Sequence, residues 1–152
     1  GTTGLNSKSF SVLKKISNHV PVLWAANMSL GVHVLRQCIK QLSQLDEDFD
    51  FQIEDIHHKF KKDSPSGTAK VLQEDLIEAL GKKKSRAVAP VIPIRAGGIF
   101  GIHKVLAVSQ EEILLLEHTA LNRAVFAKGA IVAAKWLSSK KPGYYSFEDI
   151  FE

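Results

Sequence analysis

The feature that most constrains the fold is a strand-like segment that ends at a proline and is followed at once by a helix start. Within Phe49–Phe60, residues on one side alternate with those on the other, and a period of two is typical of a β-strand. The run Asp63-Ser64-Pro65 ends this strand, because proline cannot donate to a strand ladder. Ser66 is then a suitable N-cap for a helix that reaches about Leu80. A strand, a turn and a helix are therefore predicted in that order.

The end of this strand also concentrates ionisable groups. His57 and His58 are adjacent, and Lys59, Lys61 and Lys62 follow within four residues. Imidazole and ammonium groups both hold a proton at physiological pH when an anion lies close. The pattern therefore predicts a general acid with an electrostatic partner, facing a substrate that becomes an anion. The alternative is a pair of ordinary strand-end histidines beside a solvated lysine cluster.

The helix start supplies a second anion-binding element. Free N–H groups at a helix N-terminus bind carboxylate or phosphate, and the helix dipole favours negative charge there. In Ser66-Gly67-Thr68 the glycine lacks a side chain, so a ligand can approach the backbone closely. Simple helix capping explains Ser66 but gives no reason for Gly67. A zinc site is disfavoured, because adjacent histidines on a strand diverge and no cysteine ligand lies nearby. No metal is therefore predicted.

The rest of the chain predicts an α/β arrangement with strands and helices in alternation. The second helix has an apolar series at three- and four-residue steps, Leu30, Val34, Cys38, Leu42 and Leu45, which we predict to be its buried face. Small residues in the last helix allow close approach to a sheet. The predicted helices are 6–18, 29–45, 66–80 and 122–138, and the predicted strands are 20–25, 49–60, 91–95, 104–109 and 113–118.

Composition excludes several kinds of protein. The net charge of +4 is modest, and only two tryptophans and two tyrosines accompany the lysine clusters, so a nucleic-acid surface is not indicated. No apolar run approaches the roughly 18 residues that cross a bilayer, so no membrane segment is predicted. The single cysteine, Cys38, excludes an internal disulfide framework and favours a reducing compartment. Cytoplasmic localisation is the expectation.

Five blocks of sequence, in order, resemble the 4-hydroxy-tetrahydrodipicolinate reductase family, also called dihydrodipicolinate reductase, of lysine and diaminopimelate synthesis. The central block is long enough to be highly specific, and the blocks together cover essentially the whole chain. They are Gly1-Thr2-Thr3-Gly4, Ala26–Val32, His57-His58-x-x-Lys61-x-Asp63-x-Pro65-Ser66-Gly67-Thr68-Ala69, Arg95–His103 and His118–Ala130.

The resemblance implies an oxidoreductase that uses NADPH or NADH. Hydride adds to a cyclic dicarboxylate that contains a C=N bond, and a proton is added at the adjacent carbon. By resemblance, His57 and Lys61 are the proton-transfer pair, with Lys61 the favoured donor. His58, Gly67 and Thr68 would contact the substrate carboxylates.

The resemblance also implies a division of the chain. Residues 30–122 would form an α+β substrate-binding, catalytic and oligomerisation domain, a mixed β-sheet packed by helices on one face, and such sheets would meet in a homotetramer. Residues 1–29 and 123–152 would be the remnant of a partial Rossmann-like dinucleotide-binding domain. The residues expected to line the nicotinamide end of the cofactor are Gly1, Thr2, Thr3, Ala25, Ala26, Asn27 and Met28.

The sequence departs from the family pattern at two points. The first strand and glycine-rich loop that hold the pyrophosphate in the family are absent from this sequence, and the connection near Lys82–Pro90 is short. The chain is therefore expected to be a fragment that is weak or inactive as a reductase by itself. Two other hypotheses stay open: a non-catalytic anion-binding or assembly module, and a related dehydrogenase with another substrate.

Overall fold

The structure, a computed structural model, describes residues 5–81 and 88–152. Gly1, Thr2 and Thr3 lie outside the described residues, as does most of the short connection near Lys82–Pro90. The chain divides into two compact units, one made of residues up to His33 with Ala124–Glu152, and the other of Val34–Arg123. The functions assigned to the two predicted domains remain predictions.

The larger unit contains a four-stranded mixed sheet. Its strands are β2 (Asp50–His57), β3 (Ile92–Arg95), β4 (Ile102–Val108) and β5 (Ile113–Thr119), in the order β3-β2-β4-β5. The β2–β3 pair is parallel and the β2–β4 and β4–β5 pairs are antiparallel. The predicted strand that follows Phe49 is thus the second strand of the sheet and has a partner on each side.

Two helices cover one face of this sheet. They are α2 (Leu30–Gln41), which enters the larger unit at Val34, and α3 (Gly67–Leu80). The core between sheet and helices contains Ile53, Val105, Ile39, Leu72 and Leu76, each with no exposed surface. The predicted α+β architecture, a mixed sheet packed by helices, is confirmed.

The predicted buried face of α2 was correct only at the end of the series. Leu42 is buried and Leu45 packs against the core, but Leu30 is 40% exposed and Val34 is 58% exposed, whereas Leu35 and Ile39 are buried. This helix has apolar residues on more than one stripe, and a shift of one residue turns a helix by about 100°. The packing of the helix against the sheet therefore determines which apolar stripe is buried, and that stripe includes Leu35 and Ile39.

The smaller unit contains a two-stranded parallel sheet. Strand β1 (Pro21–Leu23) pairs with β6 (Gly143–Tyr145), which the sequence did not predict because only three residues follow Pro142 before a polar turn. Its helices are α1 (Ser7–Ile16), capped by Asn6, and α4 (Ala124–Leu137). Two parallel strands do not by themselves show a Rossmann-like fold, which stays a prediction.

Helix α4 packs closely against the segment that follows β1. A Cβ atom added to Gly129 would lie 1.5 Å from the carbonyl oxygen of Met28, so only glycine fits at this crossing. Met28, Ala133 and Phe147 form the buried cluster of this unit. In the described part of the chain, no helix is both long and apolar enough to cross a membrane.

Candidate active site

The strand that carries the histidine pair ends at His57. Its last backbone carbonyl accepts a hydrogen bond from the N–H of Ala96 (2.9 Å), and the N–H of Lys59 then donates to the carbonyl of Gly97 (3.2 Å). Gly97 has a φ of 51°, a conformation that favours glycine. The strand therefore ends three residues before the predicted bound at Phe60, and Lys61 lies in a turn beyond the sheet.

Asp55 is the most highly connected polar group of this region. Its carboxylate is fully buried, and both oxygens are used. One oxygen, Oδ1, accepts from the Ser66 hydroxyl (2.7 Å) and lies 2.9 Å from His57 Nδ1. The other, Oδ2, accepts from the Ser66 backbone N–H (2.7 Å) and from Arg95 Nη2 (2.9 Å). A carboxylate offers about four acceptor positions, so these partners saturate it.

These partners also keep Asp55 charged. Burial by itself would raise the pKa of its carboxyl group, but the contacts from His57, Ser66 and Arg95 outweigh burial and hold the pKa well below its ordinary value. Asp55 is therefore an anion at physiological pH. A buried anion in this position favours a proton on the nitrogen of His57 that faces it.

The His57 Nδ1 and Asp55 Oδ1 atoms are close, but the ring N–H does not point directly at the oxygen. The two atoms are 2.9 Å apart, yet the ring N–H does not meet the angle of a hydrogen bond to any described residue. Catalytic hydrogen bonds are often poorly aligned before ligand binds. On the other side of the ring, Nε2 lies close to Gly101, where an added Cβ would approach to 3.0 Å. The ring is thus confined between Asp55 and Gly101.

Arg95 joins Asp55 to the turn that carries the lysines. Its Nη1 donates to the Asp55 backbone carbonyl (2.8 Å), and its Nη2 donates both to the Asp55 carboxylate (2.9 Å) and to the Asp63 backbone carbonyl (2.8 Å). These are charge-assisted bonds and are stronger than neutral ones. One guanidinium group therefore fixes the end of β2 and the far side of the turn together.

Two further histidines lie beside Asp55 in the sheet. His103 on β4 is directly opposite Asp55, and His118 on β5 is directly opposite His103. Burial lowers the pKa of His103 to about 4, although the charge of Asp55 opposes that effect. Burial lowers the pKa of His118 as well. His103 is therefore neutral at physiological pH, and its Nε2 lies 3.3 Å from the Ser66 hydroxyl.

Lys61 is the more accessible member of the predicted proton-transfer pair. Its side chain is 22% exposed and its Nζ lies 2.8 Å from Asp63 Oδ1, whereas His57 is only 7% exposed. Burial tends to raise the pKa of Asp63, but the contact with Lys61 outweighs it and lowers the pKa. The ammonium group thus rests on a carboxylate near solvent, and a substrate anion can compete for it.

The start of α3 lies next to this cluster. Ser66 caps the helix by accepting from the Ala69 N–H (3.2 Å), which confirms the predicted N-cap. A Cβ atom on Gly67 would meet nothing within 4 Å, so packing in the protein does not require glycine there. Thr68 and His58 are half-buried. Open space at Gly67 is what an approaching ligand needs.

The residues expected to contact a nicotinamide lie in the smaller unit. Ala25, Ala26, Asn27 and Met28 follow the carboxyl end of β1, and the Asn27 side-chain oxygen accepts from the Ser29 N–H (2.8 Å). Ligands of open α/β sheets bind at such strand ends. Their role at the nicotinamide end of a cofactor remains a prediction, and no phosphate-binding glycine loop lies among residues 5–81 and 88–152.

Asp55, His57 and His103 also have ligand atoms within 4.8 Å of one another, a separation compatible with a metal ion. The Asp55 oxygens are already occupied by Ser66 and Arg95, and a cation would have to displace a guanidinium group. The chemistry of this cluster therefore favours a hydrogen-bond network. The prediction that no metal binds remains untested.

Several residues of this cluster were missed by reading the sequence for its chemistry. No role was predicted for Asp55, and Arg95 and His103 belong only to a block of resemblance to the family. The available signal was that Asp55 and His57 are two residues apart on one strand, so that their side chains point to the same face of the sheet. The contacts with Arg95 and His103 depend on strand pairing, which short-range patterns do not reveal.

Comparisons with known proteins agree with the resemblance in the sequence. The family model described as "Dihydrodipicolinate reductase, C-terminus" matches residues 31–151. The 4-hydroxy-tetrahydrodipicolinate reductase of Bdellovibrio bacteriovorus is 55% identical over 150 residues, covering 99% of this chain and 63% of that protein. The reductase of Nitratiruptor sp. is 40% identical over 164 residues, covering 98% of this chain and 65% of that protein.

A solved structure shares the fold. It is a dipicolinate-bound dihydrodipicolinate reductase from Paenisporosarcina sp., which superposes with a TM-score of 0.72 at 18% identity and covers 96% of this chain and 61% of the other. The chain spans about two thirds of the length of the proteins it matches. The match to residues 31–151 and the 55% identity place this chain in the dihydrodipicolinate reductase family, where it corresponds to the C-terminal region.

Proposed function

We propose that this chain forms the substrate-binding and proton-donating part of a 4-hydroxy-tetrahydrodipicolinate reductase of lysine and diaminopimelate biosynthesis. The reaction reduces 4-hydroxy-tetrahydrodipicolinate, or dihydrodipicolinate, to tetrahydrodipicolinate with NADPH or NADH. The observation that carries the proposal is the junction of β2 and α3, where the Lys61 ammonium group contacts Asp63 and the open helix start at Gly67 follows Ser66, which the buried Asp55 carboxylate binds.

Recognition of a dicarboxylate requires two positive regions. The N-terminus of α3 at Gly67 and Thr68 provides backbone N–H groups and the positive end of a helix dipole. The turn at His58 and Lys61 provides the second region. A planar ring with two carboxylates, such as the dipicolinate bound by the Paenisporosarcina reductase, is the ligand class that these two regions suit.

Proton transfer is assigned to Lys61. Its side chain is 22% exposed, whereas His57 is almost entirely enclosed. A substrate carboxylate that competes with Asp63 would release Nζ toward the carbon that receives the proton. His57 is the second member of the proposed proton-transfer pair, and its Nδ1 lies 2.9 Å from the Asp55 carboxylate.

The nicotinamide cofactor supplies the hydride when it is bound. Ala25–Met28 would hold its nicotinamide end, and the family resemblance implies that Gly1, Thr2 and Thr3 contact it as well. The proposed rigidity of the turn at Ala25–Met28 rests on two features: the Ser29 N–H donates to the Asn27 side chain, and Gly129 lies against the Met28 carbonyl. A fixed turn of small residues can support a flat ring without rearrangement.

We expect the chain by itself to bind pyridine-2,6-dicarboxylate but not NADH. Gly67→Ala should weaken that binding at least about tenfold, because the new methyl group occupies the space that the ligand needs. Isothermal titration calorimetry measures both affinities. Lys70→Ala, at an exposed position one turn further along α3, is the matched control and should bind normally.

The two open alternatives give different titrations. A non-catalytic assembly module predicts that neither pyridine-2,6-dicarboxylate nor NADH binds. A non-catalytic anion-binding module predicts that the dicarboxylate binds but that the chain supports no turnover within a complete reductase. A dehydrogenase with another substrate predicts turnover of reduced cofactor without preference for the dicarboxylate. Unchanged affinity in Gly67→Ala would remove the helix start from the site even if the ligand binds.

Four copies of this chain are expected to assemble through the open face of the larger sheet. That face carries exposed apolar residues, Ile92, Ile94, Ile113 and Leu115, which are 38–67% accessible. A second copy of the same surface would cover them. Light scattering should give the mass of a tetramer, and Leu115→Asp should lower it. Leu121→Asp is the control, because Leu121 is 83% exposed but lies beyond β5.

A further inference from the structure

We infer that Asp55 is the positioning residue of the site. It orients the His57 ring and anchors the start of α3. The proton-donating turn and the anion-binding end of the helix are thereby held at a fixed position relative to each other. This inference rests on the proposed function and deepens it. None of the five sequence blocks that resemble the family includes Asp55. It never touches the ligand, since its carboxylate has no exposed surface.

The first half of the argument concerns His57. Its Nδ1 lies 2.9 Å from Asp55 Oδ1, and Asp55 is an anion with no proton to donate. The nitrogen that faces Asp55 must therefore carry the hydrogen, and Nε2 must carry the lone pair whenever the ring is neutral. Gly101 leaves room for Nε2 on the opposite side. One carboxylate thus selects both the tautomer and the direction of the ring.

The second half concerns α3. Asp55 accepts both the backbone N–H and the hydroxyl hydrogen of Ser66, at 2.7 Å each. Because that hydroxyl hydrogen points to Asp55, the hydroxyl oxygen is left to accept from the Ala69 N–H and cap the helix. The helix start that would bind a carboxylate is thereby fixed to the same two oxygens as His57.

Arg95 supports this arrangement from the other edge. Its guanidinium group bonds the Asp55 carboxylate and the Asp63 backbone at the same time. The turn containing Lys61 therefore shares its anchor with His57 and Ser66. A ligand that spans the helix start and the lysine would meet groups whose separation is set by a single buried anion.

Asp55→Asn tests the inference by reversing the tautomer. The Asn oxygen should turn toward Arg95 and the Ser66 N–H, which are both donors, and its NH₂ group should then face His57 Nδ1. Donation from that NH₂ group would move the ring hydrogen of His57 to Nε2, as the corresponding substitution does in the serine proteases. Long-range ¹H–¹⁵N correlation spectra of histidine rings distinguish the two tautomers directly.

In the unmodified chain at pH 7.5, we expect His57 to carry its hydrogen on Nδ1. Asp55→Glu should keep that tautomer, because the negative charge is retained. Glu54→Gln is the matched control, since Glu54 lies on the other face of β2 and pairs with Lys104; it should change nothing. Ser66→Ala should leave the tautomer intact and weaken pyridine-2,6-dicarboxylate binding about tenfold, a loss comparable to one helix cap.

An Nε2–H tautomer in the unmodified chain overturns the inference even if Asp55→Asn fails to fold. An unchanged tautomer in a folded Asp55→Asn protein also overturns it. Neither measurement needs ligand or cofactor, so a chain that binds no dicarboxylate would refute the proposed function while the spectra still decide the role of Asp55. Dicarboxylate binding with the wrong tautomer would leave the function standing and remove Asp55 from it.

Discussion

Lys61→Ala should lower kcat about 100- to 1000-fold while KM changes only a few-fold, because a general acid acts mainly in the transition state. The measurement requires a complete reductase. A suitable protein is the Bdellovibrio bacteriovorus reductase in which this chain replaces the 150 residues that it matches at 55% identity. Initial rates with NADPH and with NADH would also give the cofactor preference of the chimera.

Lys61→Arg distinguishes the role of Lys61 as a proton donor from the role of its positive charge, and Lys62→Ala is the control. Lys61→Arg keeps a positive group, but its guanidinium does not release a proton near neutral pH, so KM should be kept and kcat should stay low. Lys62→Ala removes the neighbouring exposed lysine and should have little effect. A kcat for Lys61→Ala within a few-fold of the unmodified chimera would reassign the proton donor, with His57 the next candidate.

Gly129→Ala should destabilise the smaller unit by at least about 2 kcal/mol, whereas Gly67→Ala should leave the free energy of unfolding unchanged or raise it by up to about 1 kcal/mol. The two substitutions add the same methyl group to a helix. At Gly129 the new atom would lie 1.5 Å from the Met28 carbonyl oxygen, while at Gly67 it would meet nothing within 4 Å. Chemical denaturation measures both variants against the unmodified chain.

Amide hydrogen exchange would locate the damage. In Gly129→Ala, protection of backbone amides from exchange should fall in α4 and in the residues around Met28. The reason is that the Met28 carbonyl would have to move away from the new methyl group, and the segment that follows β1 would move with it. Equal stability of the two variants would show that α4 can shift at no cost, and the turn at Ala25–Met28 would then lose its proposed rigidity. The same pair of variants thus separates a glycine needed for packing from a glycine needed for a ligand.

The sequence alone was sufficient to predict features that depend on residues close together in the chain. The cap at Ser66, the presence of strand β2 and the order of the main strands and helices all depend on neighbouring residues, whose hydrogen bonds and side-chain periods are set within a few positions. The motif from His57 to Ala69 is local as well, which is why it pointed to the right family.

Tertiary structure decided what depends on distant partners. The buried stripe of α2 was chosen by the sheet, since Val34 was apolar enough to be buried but is 58% exposed. Strand β6 exists only because β1 lies beside it. Asp55 looks like any strand carboxylate until pairing brings His103 opposite it and Arg95 beside its oxygens. A local pattern can supply a proton donor and a helix start, but only the folded sheet fixes them to one buried anion.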